Sequence, residues 1–290
     1  MSLQDIILKL QDFWSLNGCC IVSGYDCEVG AGTMTPDTFF RVLGRKPWKI
    51  AYWQPSRRPD DGRYGENPNR VQKHNQFQVI LKPVPRDGQN LYFNSLQQLG
   101  VDIRNHDIKF DEDNWASPSL GAWGVGWQVM CDGLEITQYT YFQQAGGLEL
   151  NPNSLEITYG LERLAMFLES KNNIYNLTWG HKVRYSDFRL DEEKQFSIYN
   201  FEMADVQFLR ENFIRYEKEA RRLIDANLYL PAFDLVLKCS HMFNILDARK
   251  AISIAERTSL MASMRDLSSS IARKYIEDTE GKKPEEESGE

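Results

Sequence analysis

Hydrophobic residues recur with a helical period in the segment ITYGLERLAMFLE, residues 157–169. Met166 and Phe167 lie beside Arg163 on the side away from the main apolar stripe, so we expect a helix that is enclosed nearly all round. An arginine in the first turn adds a cation where the helix dipole is already positive. Either a buried carboxylate or a bound polyanion would explain it. The apolar stripe itself consists of Leu161, Leu164, Ala165 and Leu168.

A two-residue period predicts strands through the middle of the chain, at 48–54, 76–82 and 154–159. The dipeptide Asp132-Gly133 lies between two alternating runs and strongly favours a hairpin turn. In the run after it, alternation predicts that Glu135 and Thr137 share one face and that Gln138 lies on the other. We therefore expect a mainly antiparallel sheet with a few helices.

Helical patterns dominate both ends of the chain. The first helix is predicted from Ser2 to Asn17-Gly18, followed by a short buried strand at 19–25. Beyond Gly180 we expect a long helix at 200–228, broken by Pro231, and then further helices. The interpretation is an α+β class with three segments: a catalytic domain at 1–180, a helical domain at 181–276 and a disordered charged tail at 277–290.

Composition narrows the possible functions. The chain has 290 residues, 42% of them hydrophobic, and no apolar run long enough to span a membrane. Its first residues lack the pattern of a secretory signal, and its five scattered cysteines lack CxxC pairs, so we expect a cytoplasmic protein with reduced thiols. The net charge of −7 argues against this chain gripping a long nucleic acid without a local patch or a partner.

The segment between the first two predicted central strands, residues 55–75, is unusually long and rich in charge. It interleaves three acids with five cations, which are Arg57, Arg58, Arg63, Arg70 and Lys73. A long loop is usually functional or disordered, and arginine is well suited to bind phosphate. The alternative is a solvated, salt-bridged turn. Glu135 also has two alternative roles: it is either an edge charge or a ligand of Mg²⁺ between phosphate oxygens.

Common nucleotide and hydrolase motifs are missing. The sequence has no GxxxxGK[ST] loop, no complete GxGxxG and no HExxH pair. An arginine loop between antiparallel strands, followed much later by a Gly-x-x-Arg helix start, instead resembles motifs 2 and 3 of class II aminoacyl-tRNA synthetases. QPSRRPDDGRYGENPNRVQ, DNWASPSLGAWGVGWQVMCDGLEITQYTYFQQ, EITYGLERLAMFLE and LKCSHMFNILDAR resemble the alpha subunits of bacterial heterotetrameric glycyl-tRNA synthetases along nearly the whole chain.

This resemblance implies a class II antiparallel catalytic sheet with flanking helices. The reaction it implies joins glycine and ATP into glycyl-adenylate and then transfers glycine to the 3′ end of tRNA-Gly. The glycine carboxylate is already a nucleophile, so the protein's task is alignment and charge stabilisation. A search for a catalytic Ser or His is therefore expected to find nothing.

The resemblance also implies roles for individual residues at the ATP. Arg57 or Arg58, with a slight preference for Arg58, would contact the α-phosphate, and Arg163 would contact the γ-phosphate. Glu135 would hold Mg²⁺. Glu66 would face the adenine and Phe77 would stack on it, although a core role for Phe77 is a serious alternative. The remaining ATP-binding candidates are Arg70 and Thr137.

A polar pocket for glycine is expected beside the ATP site. Glu156 would pair with the glycine ammonium, and the bulk of Trp115 would exclude larger side chains. For each member, an ordinary structural role is an equally good explanation. The other members are Thr33, Gln76, Gln78 and Thr158.

Partners follow from the same resemblance. It implies a homodimer of alpha chains within a heterotetramer, and a beta subunit that carries most of the tRNA recognition. The segment GTMTPDTFF, with Pro36, is the weakest match and corresponds to the region that forms the dimer interface in this family. Two alternatives remain: a related ligase that forms an aminoacyl adenylate without charging tRNA, and a non-catalytic interaction protein.

Overall fold

The computed structural model describes residues 1–281, and its centre is an eight-stranded sheet in the order β1-β2-β3-β8-β7-β6-β4, with β5 also paired to β6. Apart from the parallel β1–β2 pair, all neighbouring strands in this sheet are antiparallel. The strands are β1 (Cys20–Ile21), β2 (Trp48–Arg57), β3 (Lys73–Lys82), β4 (Ile108–Glu112), β5 (Trp115–Ser117), β6 (Ala122–Cys131), β7 (Leu134–Ala145) and β8 (Leu148–Gly160). A separate ribbon pairs β9 (Thr178–Gly180) with β10 (Val183–Arg184).

Helices cover both faces of this sheet. They are α1 (Leu3–Leu16), α2 (Pro36–Val42), α3 (Gly88–Gln98), α4 (Leu161–Leu168), α5 (Tyr185–Ile198), α6 (Val206–Asp225), α7 (Tyr229–Ala248) and α8 (Ile254–Glu280). A π-helical turn, Tyr199–Met203, follows α5. No helix within residues 1–281 is long and apolar enough to cross a membrane. The expected α+β class, an antiparallel sheet followed by helices, is confirmed.

Two apolar cores lie on opposite faces of the sheet, and the alternation of β3 shows how they are separated. Phe77 and Val79 belong to the core beneath α1, α3 and α4. Ile80 belongs to the core shared with α2, α7 and α8. In the second core the ring of Phe39 on α2 stacks on that of Phe233 on α7, with centroids 4.4 Å apart. The C-terminal helices thus share a core with the sheet, and the division at residue 180 remains a prediction.

One face of β3 changes from apolar to polar along its length. From Ile80 towards the start of the strand, the residues on that face are Gln78, Gln76 and His74. Gln78 pairs with Thr158 and Ile80 with Glu156 on the neighbouring β8, so these side chains meet on the same side of the sheet. This polar end of the second face is where the functional cavity lies.

Several local predictions were wrong. β1 spans two residues, and its Cys20 is exposed rather than buried. Pro231 does not break a helix, because α6 ends at Asp225 and the proline occupies the first turn of α7, where its missing N–H costs little. Residues 277–280, expected to be disordered, continue α8, and the carboxylate of Glu280 accepts the Arg45 N–H at 2.7 Å. The rest of the predicted tail, from 282, lies outside the described residues.

Candidate active site

A cavity of about 460 Å³ opens at the polar end of β3 and β8. Its walls come from parts of the chain that are far apart in sequence. These are the segment before α2 (Ala31, Thr33), the β2–β3 connection (Arg58, Asp61, Asn69, Arg70, Val71), the β4–β5 turn (Asp113), strands β3, β5, β6, β7 and β8, the start of α4 (Glu162, Arg163), and Ile174. This volume lies within the range of small-molecule sites.

Three arginines reach the cavity from two directions. Arg58 and Arg70 lie on the β2–β3 connection, which the observed strand ends limit to residues 58–72 and which we call the arginine loop. Arg163 lies in the first turn of α4. Burial lowers the pKa of Arg58, the charges of Asp61 and Glu135 oppose this shift, and those of Arg163 and Arg70 add to it. The three guanidinium groups therefore lie close enough for their charges to interact, together with those of Asp61 and Glu135.

Each arginine is held by an oxygen. The Nε of Arg58 donates to the Gly30 carbonyl at 3.0 Å, and the Nε of Arg70 pairs with the Asp61 carboxylate at 3.0 Å. Arg163 pairs with the carboxylate of Glu135. The guanidinium groups are thereby held at the cavity walls, where an anionic ligand can reach them.

An ion pair with a carboxylate explains why a cation can lie in the first turn of the helix at 161–168. The partner of Arg163 is Glu135 on β7, not the adjacent Glu162. The Glu162 carboxylate is buried and accepts the backbone N–H of Asn75 at 2.9 Å and the Tyr185 hydroxyl at 3.0 Å. It thus ties the start of α4 to β3 and to α5.

A bulge in β7 brings Glu135 to this position. Val129 pairs with Thr137 and Met130 pairs with Glu135, so Ile136 is the extra residue. The predicted regular alternation is therefore wrong at the start of β7. Glu135 lines the cavity together with Gln138, whereas Tyr139 is buried in the core on the other face.

A buried carboxylate lies deeper in the cavity. Glu156 is 1% exposed, and its Oε1 accepts the Thr33 hydroxyl at 2.6 Å and the Gln78 amide. Within residues 1–281, its Oε2 takes no hydrogen bond. Burial raises the pKa of Glu156 to about 7, and the bonds from Thr33 and Gln78 partly oppose this shift. The second oxygen is thus an unsatisfied acceptor for a cationic ligand.

The amides around Glu156 hold the wall in place. The Thr158 hydroxyl donates to Gln78 Oε1 at 2.8 Å. The Oε1 of Gln76 accepts the backbone N–H of Gly32 at 2.8 Å and the Ser56 hydroxyl at 2.9 Å. Glutamine suits this position because its carbonyl and amide can satisfy neighbours of opposite kind.

A large aromatic side chain limits the space in the same cavity. Trp115 on the short β5 lines the cavity, and its ring packs against Phe142 with centroids 5.5 Å apart. A side chain fixed by the core cannot readily move to admit a larger ligand.

Comparison with known proteins now decides the family. The family model described as glycyl-tRNA synthetase alpha subunit matches residues 3–280. A glycine–tRNA ligase alpha subunit from Coprothermobacter proteolyticus is 55% identical over 282 residues, which cover 97% of each chain.

The chain belongs to the glycyl-tRNA synthetase alpha subunit family.

Two solved structures of pyrrolysyl-tRNA synthetase from Desulfitobacterium hafniense are also similar, each at 14% identity and covering 63% of this chain. One has a TM-score of 0.43 and is covered over 72% of its own chain, and the other has a TM-score of 0.42 and is covered over 75%.

Ten of the residues expected at the site line the cavity. They are Thr33, Arg58, Arg70, Gln76, Trp115, Glu135, Thr137, Glu156, Thr158 and Arg163. Thr137 is 1% exposed, so a ligand can touch little of its side chain. Gln78 lies behind the wall and contacts the cavity through Glu156 and Thr158.

Three residues expected to contact ATP do not line the cavity. Phe77 is fully buried, with its ring centroid 6.2 Å from that of Tyr159, because it points to the opposite face of the sheet from Gln76. Arg57 turns away from the cavity, and its guanidinium lies over the ring of Phe196. Glu66 is exposed on a turn of the arginine loop and does not line the cavity.

Several lining residues were not expected from the sequence. His74, Gln128 and Gln138 lie on three strands of one sheet, so no local spacing connects them. Burial lowers the pKa of His74 to about 3, and the charges of Arg58 and Arg163 act in the same direction. His74 is therefore neutral at pH 7. His74 lies two residues before Gln76 and therefore on the same face of β3, and this was the one signal in the sequence that could have identified it.

The Mg²⁺ implied by the family has a fitting ligand in Glu135. Mg²⁺ in nucleotide sites is usually held by one or two carboxylates together with phosphate oxygens. Glu135 lines the cavity next to Arg163 and so supplies a carboxylate oxygen where phosphates are expected. Another carboxylate, Asp61, lines the same side but is paired with Arg70.

Proposed function

We propose that this chain activates glycine with ATP to glycyl-adenylate in the cavity described above. The observation that carries the proposal is one cavity that is lined by three arginines and by a buried carboxylate with one free oxygen. The arginines are Arg58, Arg70 and Arg163, and the carboxylate is that of Glu156. A polyanion and a small ammonium compound are the complementary ligands.

Glycine would bind with its ammonium at Glu156. The free Oε2 accepts the ammonium, while Thr33 and Gln78 hold Oε1. Trp115 occupies the space that a larger side chain would need, and this favours the amino acid without one.

The chemical step requires alignment more than proton transfer. A glycine carboxylate oxygen forms a bond to the α-phosphorus, the bond from that phosphorus to the bridging oxygen breaks, and pyrophosphate leaves. Arg58 stabilises the charge that develops at the α-phosphate, and Arg163 holds the outer phosphates. His74 is neutral at pH 7 and is suited to hydrogen bonding rather than to charge stabilisation.

Mg²⁺ supplies additional charge neutralisation at the phosphates when bound. Glu135 is the residue that would hold it. In doing so, Glu135 would share its carboxylate between the metal and Arg163.

The second half of the reaction would need a partner. Glycine would pass to the 3′ end of tRNA-Gly, and a chain with a net charge of −7 is poorly suited to grip a tRNA alone. We infer that a beta subunit supplies most of that grip, in a cytoplasmic heterotetramer with two alpha chains. The alternative, an adenylate-forming paralogue, has no specific observation in its favour.

Glycine-dependent exchange of pyrophosphate into ATP tests the activation step. The full chain should support exchange with glycine, and tRNA-Gly charging should be very low until the beta subunit is added. Absence of exchange with and without the beta subunit would overturn the proposal in favour of an interaction protein. Pyrophosphate exchange without tRNA charging in the complete complex would favour the paralogue. Efficient tRNA charging by the isolated chain would contradict the inference that the beta subunit supplies most of the tRNA binding.

A further inference from the structure

Two of the three cavity arginines lie on the arginine loop, whose backbone is held from outside the sheet. Arg58 closes one end, since its N–H donates to the Gln72 carbonyl at 2.6 Å. Arg70 is near the other end, where its own N–H donates to the Asn67 side chain at 2.9 Å. Both bonds join residues of the loop itself, so they shape it without attaching it to another element.

A single carboxylate on α5 fixes both sides of the loop. Glu193 Oε1 accepts the backbone N–H of Arg63 at 2.8 Å, and Oε2 accepts the backbone N–H of Gln72 at 2.9 Å. Glu193 is 3% exposed. Charge-assisted bonds to backbone N–H groups are strong in such surroundings, so this contact restrains the loop at two points nine residues apart.

The middle of the loop lies directly on the same helix. The N–H of Tyr64 donates to the Ser197 hydroxyl at 2.9 Å, and that hydroxyl donates to Glu193 at 3.3 Å. A Cβ on Gly62 would lie 2.9 Å from Ser197 and from Phe201. Close packing and hydrogen bonding therefore seat the loop on α5 and the π-helical turn.

Glu193 itself does not line the cavity, so its effect on a ligand must pass through the loop. We propose that Glu193 is a positioning residue for nucleotide binding: it holds the arginine loop so that Arg58 and Arg70 face the cavity. This inference rests on the proposed ATP site. It adds a determinant of ATP affinity that lies in the helical part of the chain.

The variant Glu193→Gln tests the proposal. Its amide oxygen can still accept one N–H, but its amide nitrogen cannot accept the other, so one side of the loop is released. We expect the Kd of the full chain for ATP with Mg²⁺ to rise about tenfold or more. The KM for glycine should change less than about twofold, because Glu156 is held independently. Hydrogen exchange at the N–H groups of Arg63 and Gln72 should become faster.

The neighbouring variant Glu192→Gln is the matched control. Glu192 pairs with Lys73 at 2.7 Å and also with Arg189, but it accepts no N–H of the arginine loop. Both variants remove one charge from α5, so a loss of thermal stability shared by the two would reflect the helix alone. ATP affinity should fall in Glu193→Gln and stay near the wild-type value in Glu192→Gln.

A double-variant cycle shows whether the effect passes through the loop arginines. Combined with Arg58→Ala, Glu193→Gln should weaken ATP binding much less than it does alone. If Glu193→Gln does not fold, Glu193→Asp replaces it, because a shorter carboxylate cannot reach both N–H groups. A wild-type ATP affinity in the folded variant, or full additivity with Arg58→Ala, would overturn the inference. Failure of the wild-type chain to bind ATP would instead overturn the proposed function.

Discussion

Arg163, in the first turn of α4, forms an ion pair with Glu135, in the bulged start of β7. Both side chains line the cavity, so the pair joins two elements of the sheet region at the wall where phosphates are proposed to bind. A cation at a helix start is unusual for a purely structural residue. The ion pair with Glu135 explains how the protein tolerates the charge of Arg163 at this position. The proposed binding of ATP phosphates explains what the charge is for.

Removal of Arg163 should weaken the ATP reaction. Arg163→Ala leaves the outer phosphates without their guanidinium, so we expect glycine-dependent pyrophosphate exchange to fall about 100-fold in kcat/KM for ATP. Arg215→Ala, an exposed arginine on α6, is the control and should behave as the wild type. Normal exchange in Arg163→Ala would show that the assignment of this residue is wrong.

The glycine affinity should depend on pH through Glu156. Its pKa is raised to about 7, and the glycine ammonium needs the ionised form. The KM for glycine should therefore rise as the pH falls below about 7, approaching tenfold per unit. Binding of glycine should also release protons in this range, which calorimetry in buffers of different ionisation enthalpy measures.

Glu156→Gln removes both the charge and the titration. We expect the KM for glycine to rise about 30-fold at pH 8 and to lose its dependence on pH between 5.5 and 8. The Kd for ATP should be unchanged. A pH profile that persists in this variant would assign the titration to another group.

Trp115 should set the upper limit on the size of the amino acid. Trp115→Ala enlarges the cavity that also contains Glu156, so the preference for glycine over alanine should fall about tenfold or more in pyrophosphate exchange. The control is Trp123→Ala on the adjacent β6, since Trp123 is 43% exposed and does not line the cavity. An unchanged preference in Trp115→Ala would place the specificity elsewhere.

Phe77 should matter for stability and not for ATP. Because its ring is buried in the core beneath α1, Phe77→Leu should lower the free energy of unfolding by about 1–2 kcal/mol. The KM for ATP should stay within about twofold of the wild type. A large rise in this KM with unchanged stability would restore the adenine-stacking role that the structure argues against.

The sequence predicted what depends on neighbouring residues. The turn at Asp132-Gly133 was correct because both residues adopt the left-handed conformation that this dipeptide favours, with φ of 49° and 83°. The alternation of β3 was also correct. Which of its faces meets the cavity could not be read from the strand, since both faces are covered by helices, and this is why adenine stacking and a core role were both possible for Phe77.

Features that depend on distant contacts were out of reach. The bulge at Ile136 shifts Glu135 relative to a regular strand, and no turn residue marks it. Glu193 lies 121 positions from Gln72, and only the packing of α5 against the arginine loop brings them together. The arginines and Glu156 could be named from the resemblance, but their convergence is a property of the fold.

The most direct test of the account is the binding of a non-hydrolysable glycyl-adenylate analogue, such as glycyl-sulfamoyl-adenosine, to the full chain. The account predicts tight binding to the wild type, because one ligand contacts both the cavity arginines and Glu156. Arg58→Ala and Glu156→Gln should each weaken it by about 10- to 100-fold, from opposite ends of the molecule. Tight binding that neither substitution weakens would show that the adenylate is made elsewhere, and would contradict the account.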